Sequence, residues 1–275
     1  MSAILDDMDS RPGSTTSLLR TVVGLSLRRI GGWIAVADLI RLMDELGVGA
    51  PNTRTAVVRL KKKGLLLPRT VRGVVGYELN ADAAGMLERG DRRIFTARTM
   101  GDNDAWCVIS FSIPEDRRSI RHQLRRRLHW IGCGTVSPAL WICPDYLSGE
   151  VEEILDELGI REFATLFRTE RPRVDGSLRE AVAGWWDLDE LQQVHRSFIG
   201  QLSAILAEDG DSEAEAFSRY IRGIDAWRII PYLDPGLPPD LMPDDWPGAE
   251  SLRLFAQLRE RFEDRGLARV LALRA

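Results

Sequence analysis

A cluster of basic side chains lies within one short segment of the chain and is suited to contacting phosphates and base edges. It contains Arg54 and Arg59, followed by the only three lysines of the sequence, which are consecutive: Lys61, Lys62 and Lys63. Arginine matches the acceptor edge of guanine, and lysine matches the phosphates of a nucleic acid backbone. The residue types in this segment therefore predict contact with double-stranded DNA.

The spacing within residues 53–63 predicts a helix with two different faces. At 100° per residue, one face carries a packing stripe of Thr53, Ala56, Val57 and Leu60. The opposite face carries residues that suit a major groove, flanked by the two arginines: Thr55, Val58 and Lys62.

Asn52 is the expected N-cap of this helix, and Gly64 is the expected stop. A valine side chain is suited to a thymine methyl group, and a threonine to a base or a phosphate. The predicted DNA contacts from this segment are Asn52, Thr53, Arg54, Thr55, Val58, Arg59, Lys61, Lys62 and Lys63.

The residues that follow predict a β-hairpin with a basic tip. Two short apolar runs within residues 65–79 flank a turn that contains Arg69, Arg72 and Gly73. From the hairpin tip, we expect Arg69 and Arg72 to reach the DNA backbone or the adjacent minor groove.

The elements around these side chains have the order of a winged helix–turn–helix domain. Helical periodicity over residues 17–30 and 36–46 precedes the basic helix, and a further helix is predicted for residues 81–89 after the hairpin. We expect this DNA-binding domain to cover residues 16–98.

The charge of the chain is divided between segments of opposite sign. The 275 residues have a formal net charge of −4, which by itself would argue against a nucleic-acid-binding protein. Residues 16–100, however, contain 15 Arg or Lys and 7 Asp or Glu, whereas residues 101–275 contain 21 and 31. The pattern indicates a basic binding module on an acidic body.

Other features of the composition predict a cytoplasmic protein without a membrane partner. No run of 18 apolar residues is present, and the first 15 residues are acidic and lack an apolar signal region. The three cysteines, Cys107, Cys133 and Cys143, form no CxxC pair, which argues against a disulfide framework.

The rest of the chain predicts two more domains, and the whole has an α+β fold class. Strand patterns at 105–113, 135–143 and 163–168 alternate with helices at 115–130 and 148–158, which suggests a ferredoxin-like (split βαβ) middle domain over residues 103–172. Residues 173–275 are predicted to form a mainly helical C-terminal domain. Its predicted helices are 178–186, 189–207, 213–227 and 251–265, with a proline-rich loop over 231–247.

A series of short motifs gives the chain a resemblance to a known family. In chain order the motifs are residues 54–64, Tyr77-Glu-Leu79, Arg92-Arg-Ile-Phe95, Phe111-Ser-Ile-Pro114, residues 121–134, Pro138-Ala-Leu-Trp141-Ile-Cys-Pro144 and Trp186-Asp-Leu-Asp189. Together they resemble the PaaX-type transcriptional repressors of phenylacetate and aromatic-acid degradation.

The resemblance implies a repressor that an acyl-CoA thioester, such as an aryl-CoA, or a related aromatic ligand releases from operator DNA. Arginines suit the phosphates of CoA, and aromatic rings suit an aryl group or adenine. The candidate effector-binding residues are Trp106, Arg117, Arg121, Arg125, Trp130 and Trp141. The same residues also have a purely structural interpretation, as ion pairs and core packing.

The sequence has two alternative functional interpretations. An enzyme such as a ferredoxin-like nuclease is disfavoured, because the sequence contains no GxSxG, HExxH, GxxxxGK[ST] or GxGxxG motif and no familiar zinc spacing. We therefore expect no catalytic residue, metal or cofactor. A non-catalytic interaction or scaffold protein is the second alternative. The favoured interpretation is a DNA-binding homodimer, because one recognition helix contacts only a few base pairs.

Overall fold

The chain is described by a computed structural model that covers residues 11–101, 103–210 and 212–273. It has a mixed α+β architecture with two antiparallel sheets. The described residues form two compact units, each built from separate segments of the chain. The N-terminal unit contains residues 11–92, 196–228 and 248–273, and the middle unit contains residues 93–195 and 229–247. The predicted C-terminal domain thus contributes residues to both units, and the three predicted domains stay a prediction.

The N-terminal unit begins with helices and a small sheet. In chain order the elements are α1 (Thr15–Val22), β1 (Trp33–Ala35), α2 (Val36–Glu45), α3 (Ala50–Lys62), β2 (Leu66–Val71), β3 (Val74–Leu79) and α4 (Ala84–Phe95), of which residues 84–92 belong to this unit. After α1 the chain continues through a π turn and a 3-10 turn to Ile30 and stops at Gly31, whose φ is 82°. A positive φ costs glycine little, so this residue is suited to ending the helical run.

The three strands form an antiparallel sheet in the order β1–β3–β2. Its central strand approaches the neighbouring backbone closely at Gly76, where an added Cβ would lie 2.4 Å from the Ile34 carbonyl oxygen. The same Cβ would lie 2.5 Å from the Trp33 ring. Only a residue without a side chain leaves room for this packing of Trp33 on the sheet.

Helices from the C-terminal part of the chain complete the core of the N-terminal unit. They are the end of α8 (Leu188–Ala207), α9 (Glu213–Trp227) and α11 (Gly248–Ala272). Phe217 and Ile221 of α9 belong to the same buried cluster as Leu19 of α1, Leu42 of α2 and Leu60 of α3. The basic module therefore has no separate core of its own.

The middle unit contains a β-α-β-β-α-β succession. Its elements are β4 (Trp106–Phe111), α5 (Arg118–Trp130), β5 (Gly134–Ser137), β6 (Leu140–Pro144), α6 (Ser148–Glu157) and β7 (Ala164–Thr169). The strands form one antiparallel sheet in the order β5–β6–β4–β7. The single strand predicted for residues 135–143 is wrong, because the chain turns at Pro138 and pairs with itself. A proline lacks the N–H that a continuous strand would need.

Both faces of this sheet are covered. Ile109 and Trp141 belong to a cluster with Leu124 of α5 and Ile154 of α6. Trp106 on the opposite face packs in a cluster with Trp186, which lies just after α7 (Leu178–Trp185).

Residues 230–247 of the middle unit contain only two short helical segments, a single turn α10 (Ile230–Leu233) and a 3-10 turn at Pro239–Leu241. This segment was predicted to be a proline-rich loop, and its apolar side chains Leu237, Leu241 and Met242 are buried. They join the cluster around Trp106.

The three cysteines are free and buried. Cys107 and Cys143 are direct partners across β4 and β6. A hydrogen bond with Cys143 and burial raise the pKa of the Cys107 thiol far above its ordinary range. A thiol in such surroundings stays protonated and chemically inert.

No helix within the described ranges is both long enough and apolar enough to cross a membrane.

Substituting Gly76 tests the close packing of the sheet. We expect Gly76→Ala to lower the free energy of unfolding by about 1–3 kcal/mol, because the added methyl group overlaps a main-chain oxygen that cannot rotate away. Gly200→Ala is the matched control, since its Cβ meets nothing within 4 Å on α8. That change should leave stability the same or raise it. Urea unfolding measures both, and equal stabilities for the two variants would contradict the packing.

Candidate nucleic-acid interface

The basic helix α3 begins earlier than its sequence pattern suggested. It starts at Ala50, with Gly49 in the N-cap position and Pro51 in the first turn, so the prediction of Asn52 as N-cap is wrong. Proline is accepted there because the first N–H groups of a helix have no partner within it. Asn52 therefore lies inside the first turn, where its side chain is exposed.

The two predicted faces of α3 are present. Ala56, Val57 and Leu60 are buried in the core of the N-terminal unit. The opposite face is open to solvent, and the Val58 side chain is 52% exposed although it is apolar. The exposed predicted residues of this helix are Asn52, Arg54, Thr55, Val58, Arg59, Lys61 and Lys62.

Thr53 is a correction to the predicted set. Its side chain is 1% exposed, and its hydroxyl donates to the main-chain oxygens of Gly49 at 3.2 Å and Val48 at 3.4 Å. A buried hydroxyl that is already bonded to its own helix has no surface to offer to DNA, and Thr53 leaves the candidate interface.

Two basic residues of this segment also take part in the structure of the N-terminal unit. Arg59 donates from Nη1 to the Thr16 hydroxyl of α1 at 3.2 Å. Lys63 is the C-cap residue of α3 and is half-buried. The position of Arg59 is thus linked to α1, whereas Arg54 and Lys62 project from the exposed face.

The hairpin between β2 and β3 closes in a two-residue turn that places Arg72 at its tip. Arg72 has a φ of 49° and Gly73 a φ of 81°, and Val71 pairs directly with Val74. Two successive positive φ values are the signature of a type I′ turn, which normally takes asparagine and glycine. Arginine at the first of these positions has an unfavourable backbone conformation, because its Cβ lies too close to the following carbonyl oxygen.

Arg69 lies further from the tip and is tied to the sheet. Its Nη1 pairs with Oε2 of Glu78 at 2.5 Å, on the neighbouring strand. The Trp33 indole N–H donates to the Arg69 main-chain oxygen at 3.1 Å. Both side chains of the pair are partly exposed, so it contributes little stability but orients the guanidinium.

A buried polar network fixes α1 against α9 inside the N-terminal unit. The Asp225 carboxylate is 1% exposed and accepts from the hydroxyls of Ser17 at 2.5 Å and Thr21 at 2.8 Å. It also accepts from Arg228 Nε at 3.2 Å and from the Gly13 N–H at 2.6 Å. A buried carboxylate that accepts from this many donors orders the elements around it.

The structure does not place the predicted effector tryptophans on one face of the sheet. Trp106 and Trp141 are buried on opposite faces of the sheet in the middle unit, and Trp130 is half-buried at the end of α5. These rings act as packing groups, and the Trp141 indole nitrogen is buried without a hydrogen-bond partner.

The three predicted effector arginines make contacts within the middle unit. Arg121 pairs with Glu115 at 2.7 Å, and this hydrogen bond lowers the pKa of the Glu115 carboxyl. Arg125 donates to the Pro138 main-chain oxygen at 2.6 Å, and the Arg117 guanidinium lies 5.1 Å from the Phe163 ring centroid. These contacts are of the kind that the structural interpretation expects, namely ion pairs and packing, and none of them involves a ligand.

Among the residues that the structure describes, no group of three or more His, Cys, Asp or Glu side chains is arranged to hold a metal ion.

Four contributors to the candidate interface escaped the sequence analysis: Thr16, Trp33, Glu78 and Asp225. Thr16 and Asp225 act on residues 43 and about 200 positions away, so no local pattern marks them. Glu78 was visible only as part of a strand, and its pairing with Arg69 depends on the register of the hairpin.

Comparison with known proteins gives family matches along most of the chain. Residues 14–83 match the family model described as PaaX-like protein, and residues 100–182 match the PaaX protein central Cas2-like domain. Residues 186–271 match the PaaX-like protein C-terminal domain.

Two similar proteins cover nearly the whole chain. The transcriptional repressor PaaX of Escherichia coli (strain K12) is 28% identical over 264 residues, covering 94% of this chain and 83% of that protein. The solved structure of the uncharacterized protein Rv0674 from Mycobacterium tuberculosis is 23% identical and has a TM-score of 0.59, covering 90% of this chain and 96% of that one. The latter similarity concerns the fold alone.

The unfavourable conformation of Arg72 leads to a stability prediction. We expect Arg72→Asn to raise the free energy of unfolding by about 0.5–1 kcal/mol, because asparagine tolerates the left-handed region better than arginine. Arg72→Lys keeps both the charge and the strain and should leave stability unchanged. Urea unfolding without DNA measures both variants. A lysine variant as stable as the asparagine variant would show that the turn conformation is not the cause.

Proposed function

Because the chain belongs to the PaaX-type family of transcriptional regulators, we propose that it is a repressor that binds operator DNA sequence-specifically through α3 and the β2–β3 hairpin. The observation that carries the proposal is the exposed face of α3. It presents Arg54, Thr55, Val58 and Lys62 to solvent while the opposite face is packed in the core. Such a helix has the side chains that base edges and phosphates require, on a rigid support.

The hairpin supports the same function. Its tip carries Arg72 in an unfavourable backbone conformation, and strain of this kind is often kept where a side chain has a functional contact. The adjacent valines, Val74 and Val75, are 50% and 62% exposed. Together with Arg69, the tip forms a basic and partly apolar surface suited to a DNA groove.

In this proposal residues 16–98 act as a winged helix–turn–helix domain, with α2 and α3 as the helix–turn–helix and the hairpin as the wing. Residues 103–172 are a ferredoxin-like domain, whose β-α-β-β-α-β order is typical of that fold. Residues 173–275 form the helical C-terminal domain. The protein acts in the cytoplasm as a homodimer, because two half-sites supply the specificity that one helix lacks.

Repression works by occlusion of a promoter, and an acyl-CoA or aromatic-acid-derived effector releases the protein from DNA. The E. coli relative is a transcriptional repressor by name, and the effector class rests on the family resemblance. The effector acts by favouring an arrangement in which the two recognition helices no longer fit their half-sites, with a coupling of about 1–3 kcal/mol.

Single substitutions on α3 separate phosphate contacts from base contacts. We expect Lys62→Ala to reduce the slope of log affinity against log salt by about 0.9, because one phosphate contact and its counterion are lost. Arg54→Ala should instead lower the preference for the operator over random DNA by about 1–3 kcal/mol. Fluorescence anisotropy with labelled duplexes over a salt series measures both quantities.

Arg253→Ala is the matched control, since Arg253 is an exposed cation of α11 in the same unit. It should change neither the slope nor the preference. If Lys62→Ala behaves like Arg253→Ala, the exposed face of α3 is not the DNA-contacting surface.

The hairpin distinguishes a DNA-binding protein from an interaction or scaffold protein. Replacing Arg69 and Arg72 together by alanine should abolish operator binding while circular dichroism shows an intact fold. A protein that serves only to hold another protein would keep its partner binding in this variant and would have had no operator affinity to lose.

A ligand screen tests the effector. Operator affinity should fall in the presence of one or more aryl-CoA thioesters or free aromatic acids, and gel shift with the DNA upstream of its own gene measures the change. An affinity that stays constant across the panel would rule out this class of effector and leave DNA binding untouched.

A further inference from the structure

Helix α5 of the middle unit carries a second basic surface, in the part of the chain that is acidic overall. No aspartate or glutamate occurs between residues 117 and 144. Within α5 itself, five arginines and two histidines stand without a single acidic residue. This helix is therefore strongly cationic, although residues 101–275 together contain more acidic than basic side chains.

The buried side of α5 determines which of these residues face solvent. Leu124 and Leu128 are 0% exposed, and the Arg127 guanidinium pairs with Glu157 of α6 at 2.9 Å. These contacts hold α5 in one orientation on the middle unit. At 100° per residue, the opposite side of the helix carries cationic or protonatable side chains beside the small Ser119. We call them the α5 stripe, and its exposed members are Arg118, His122, Arg126 and His129.

The two arginines of the α5 stripe are not used by the protein itself. Within the ranges that the structure describes, neither Arg118 nor Arg126 makes a hydrogen bond or an ion pair. Arg121 and Arg125 differ from them, because a carboxylate holds the first and a main-chain oxygen the second. A hydrogen bond from Arg121 lowers the pKa of the Glu115 carboxyl, and Arg118 acts on that carboxyl only as a weaker, longer-range charge.

The stability of the helix does not explain this concentration of positive charge. Side chains three or four positions apart are neighbours on a helix, and like charges at these spacings destabilise it. Arg118 precedes Arg121 by three positions, and Arg121 precedes Arg125 by four. Arg118 also lies in the first turn, where the helix dipole favours an acidic side chain. A polyanion on this surface would relieve both unfavourable effects.

The length and composition of the α5 stripe suit the backbone of duplex DNA. Arg118 and Arg126 are separated by about 12 Å along the helix axis. Each DNA strand presents a phosphate about every 3.4 Å of duplex axis, so the two guanidiniums can contact different phosphates. The exposed rings of His122 and His129 add N–H donors for phosphate oxygens. The α5 stripe contains no apolar side chain, which disfavours an apolar protein surface as its partner.

We propose that the α5 stripe binds the phosphate backbone of duplex DNA without reading its sequence, as a second DNA-contacting surface of the protein. This inference deepens the proposed function and rests on it. The exposed face of α3 and the hairpin supply the preference for the operator, whereas the α5 stripe supplies affinity for any duplex. Its contribution is electrostatic and decreases as the salt concentration rises.

The test removes the two unpaired charges and compares two DNAs. In the double variant Arg118→Gln with Arg126→Gln, the slope of log affinity against log salt should decrease in magnitude by about 1.8, because two phosphate contacts are lost. The affinity should fall by the same factor for the operator and for a random duplex of equal length. Fluorescence anisotropy of the full chain over a salt series measures both quantities, and circular dichroism verifies the fold.

A second double variant, Arg171→Gln with Arg173→Gln, is the matched control. These two exposed arginines belong to the same unit, lie outside α5 and change the net charge by the same amount. The control should keep the wild-type slope. The α5 stripe would be refuted as a DNA contact if both double variants lost the same slope, or if the α5 variant kept the wild-type slope.

A small polyphosphate is the competing occupant, and calorimetry with free coenzyme A and the full chain without DNA tests it. We expect the α5 double variant and the wild-type protein to give the same coenzyme A titration. A variant that loses coenzyme A binding and keeps the wild-type salt slope on DNA would overturn the DNA contact and assign the α5 stripe to a soluble ligand.

The same measurements separate this inference from the proposed function. If the wild-type protein binds operator and random DNA equally, with a slope that depends on the α5 stripe, the proposed function fails and the DNA contact of α5 stands. If the protein prefers its operator and the α5 variant behaves like the control, the proposed function stands and the α5 contact fails. In the variant Arg54→Ala with Lys62→Ala, we expect the operator preference to fall while binding of random DNA still depends on α5.

Discussion

The buried carboxylate of Asp225 is the interaction on which the arrangement of the N-terminal unit depends. Moving a charge out of water is costly, and a buried carboxylate is tolerated only with good partners. Here two hydroxyls, a main-chain N–H and a guanidinium supply them, and three of these donors come from α1 or the residues just before it. Because a slid or rotated α1 would leave the charge unsatisfied, the helix has one favoured position against α9. The packing of α3, which lies beside α1 in the same core, follows from that position.

Local features of the interface could be predicted from the sequence, and long-range ones could not. The alternation of apolar and polar positions in α3 was sufficient to separate its buried face from its exposed face. The hairpin also followed from local signals, because two apolar runs on either side of Arg72-Gly73 are typical of two paired strands joined by a tight turn. By contrast, Thr53 has the residue type of a DNA contact but lies on the packing face of α3. Only the packed structure shows that its side chain is buried and not available to DNA.

The sequence predictions that were wrong have physical causes of the same kind, because local residue patterns do not show how the elements pack. The start of α3 was misplaced because Asn52 is a good capping residue, whereas the structure begins the helix earlier and uses the tolerance of a first turn for Pro51. The strand predicted over residues 135–143 is a hairpin because apolar content alone does not indicate where a chain reverses. The aromatic residues of the middle unit were grouped by sequence proximity, but alternation along β4 and β6 directs Trp106 and Trp141 to opposite faces.

The acidic residues of α9 and α11 belong to the same unit as the basic helix. The acidic and basic segments that are separate along the sequence therefore lie together in this unit.

The shared core of the N-terminal unit has a consequence for how the protein is made. Leu19, Leu42 and Leu60 are buried together with Phe217, Ile221 and Val270, which the ribosome adds about 150 to 250 residues later. During most of translation, the basic helix and hairpin are therefore outside the ribosome without the helices that cover their apolar faces. The exposed face of α3 and the hairpin acquire their final arrangement only when α9 and α11 have been synthesised and have packed. A nascent or truncated chain that lacks them carries the basic side chains without the framework that orients them. Under the proposed function, this keeps incomplete molecules from competing for operator DNA.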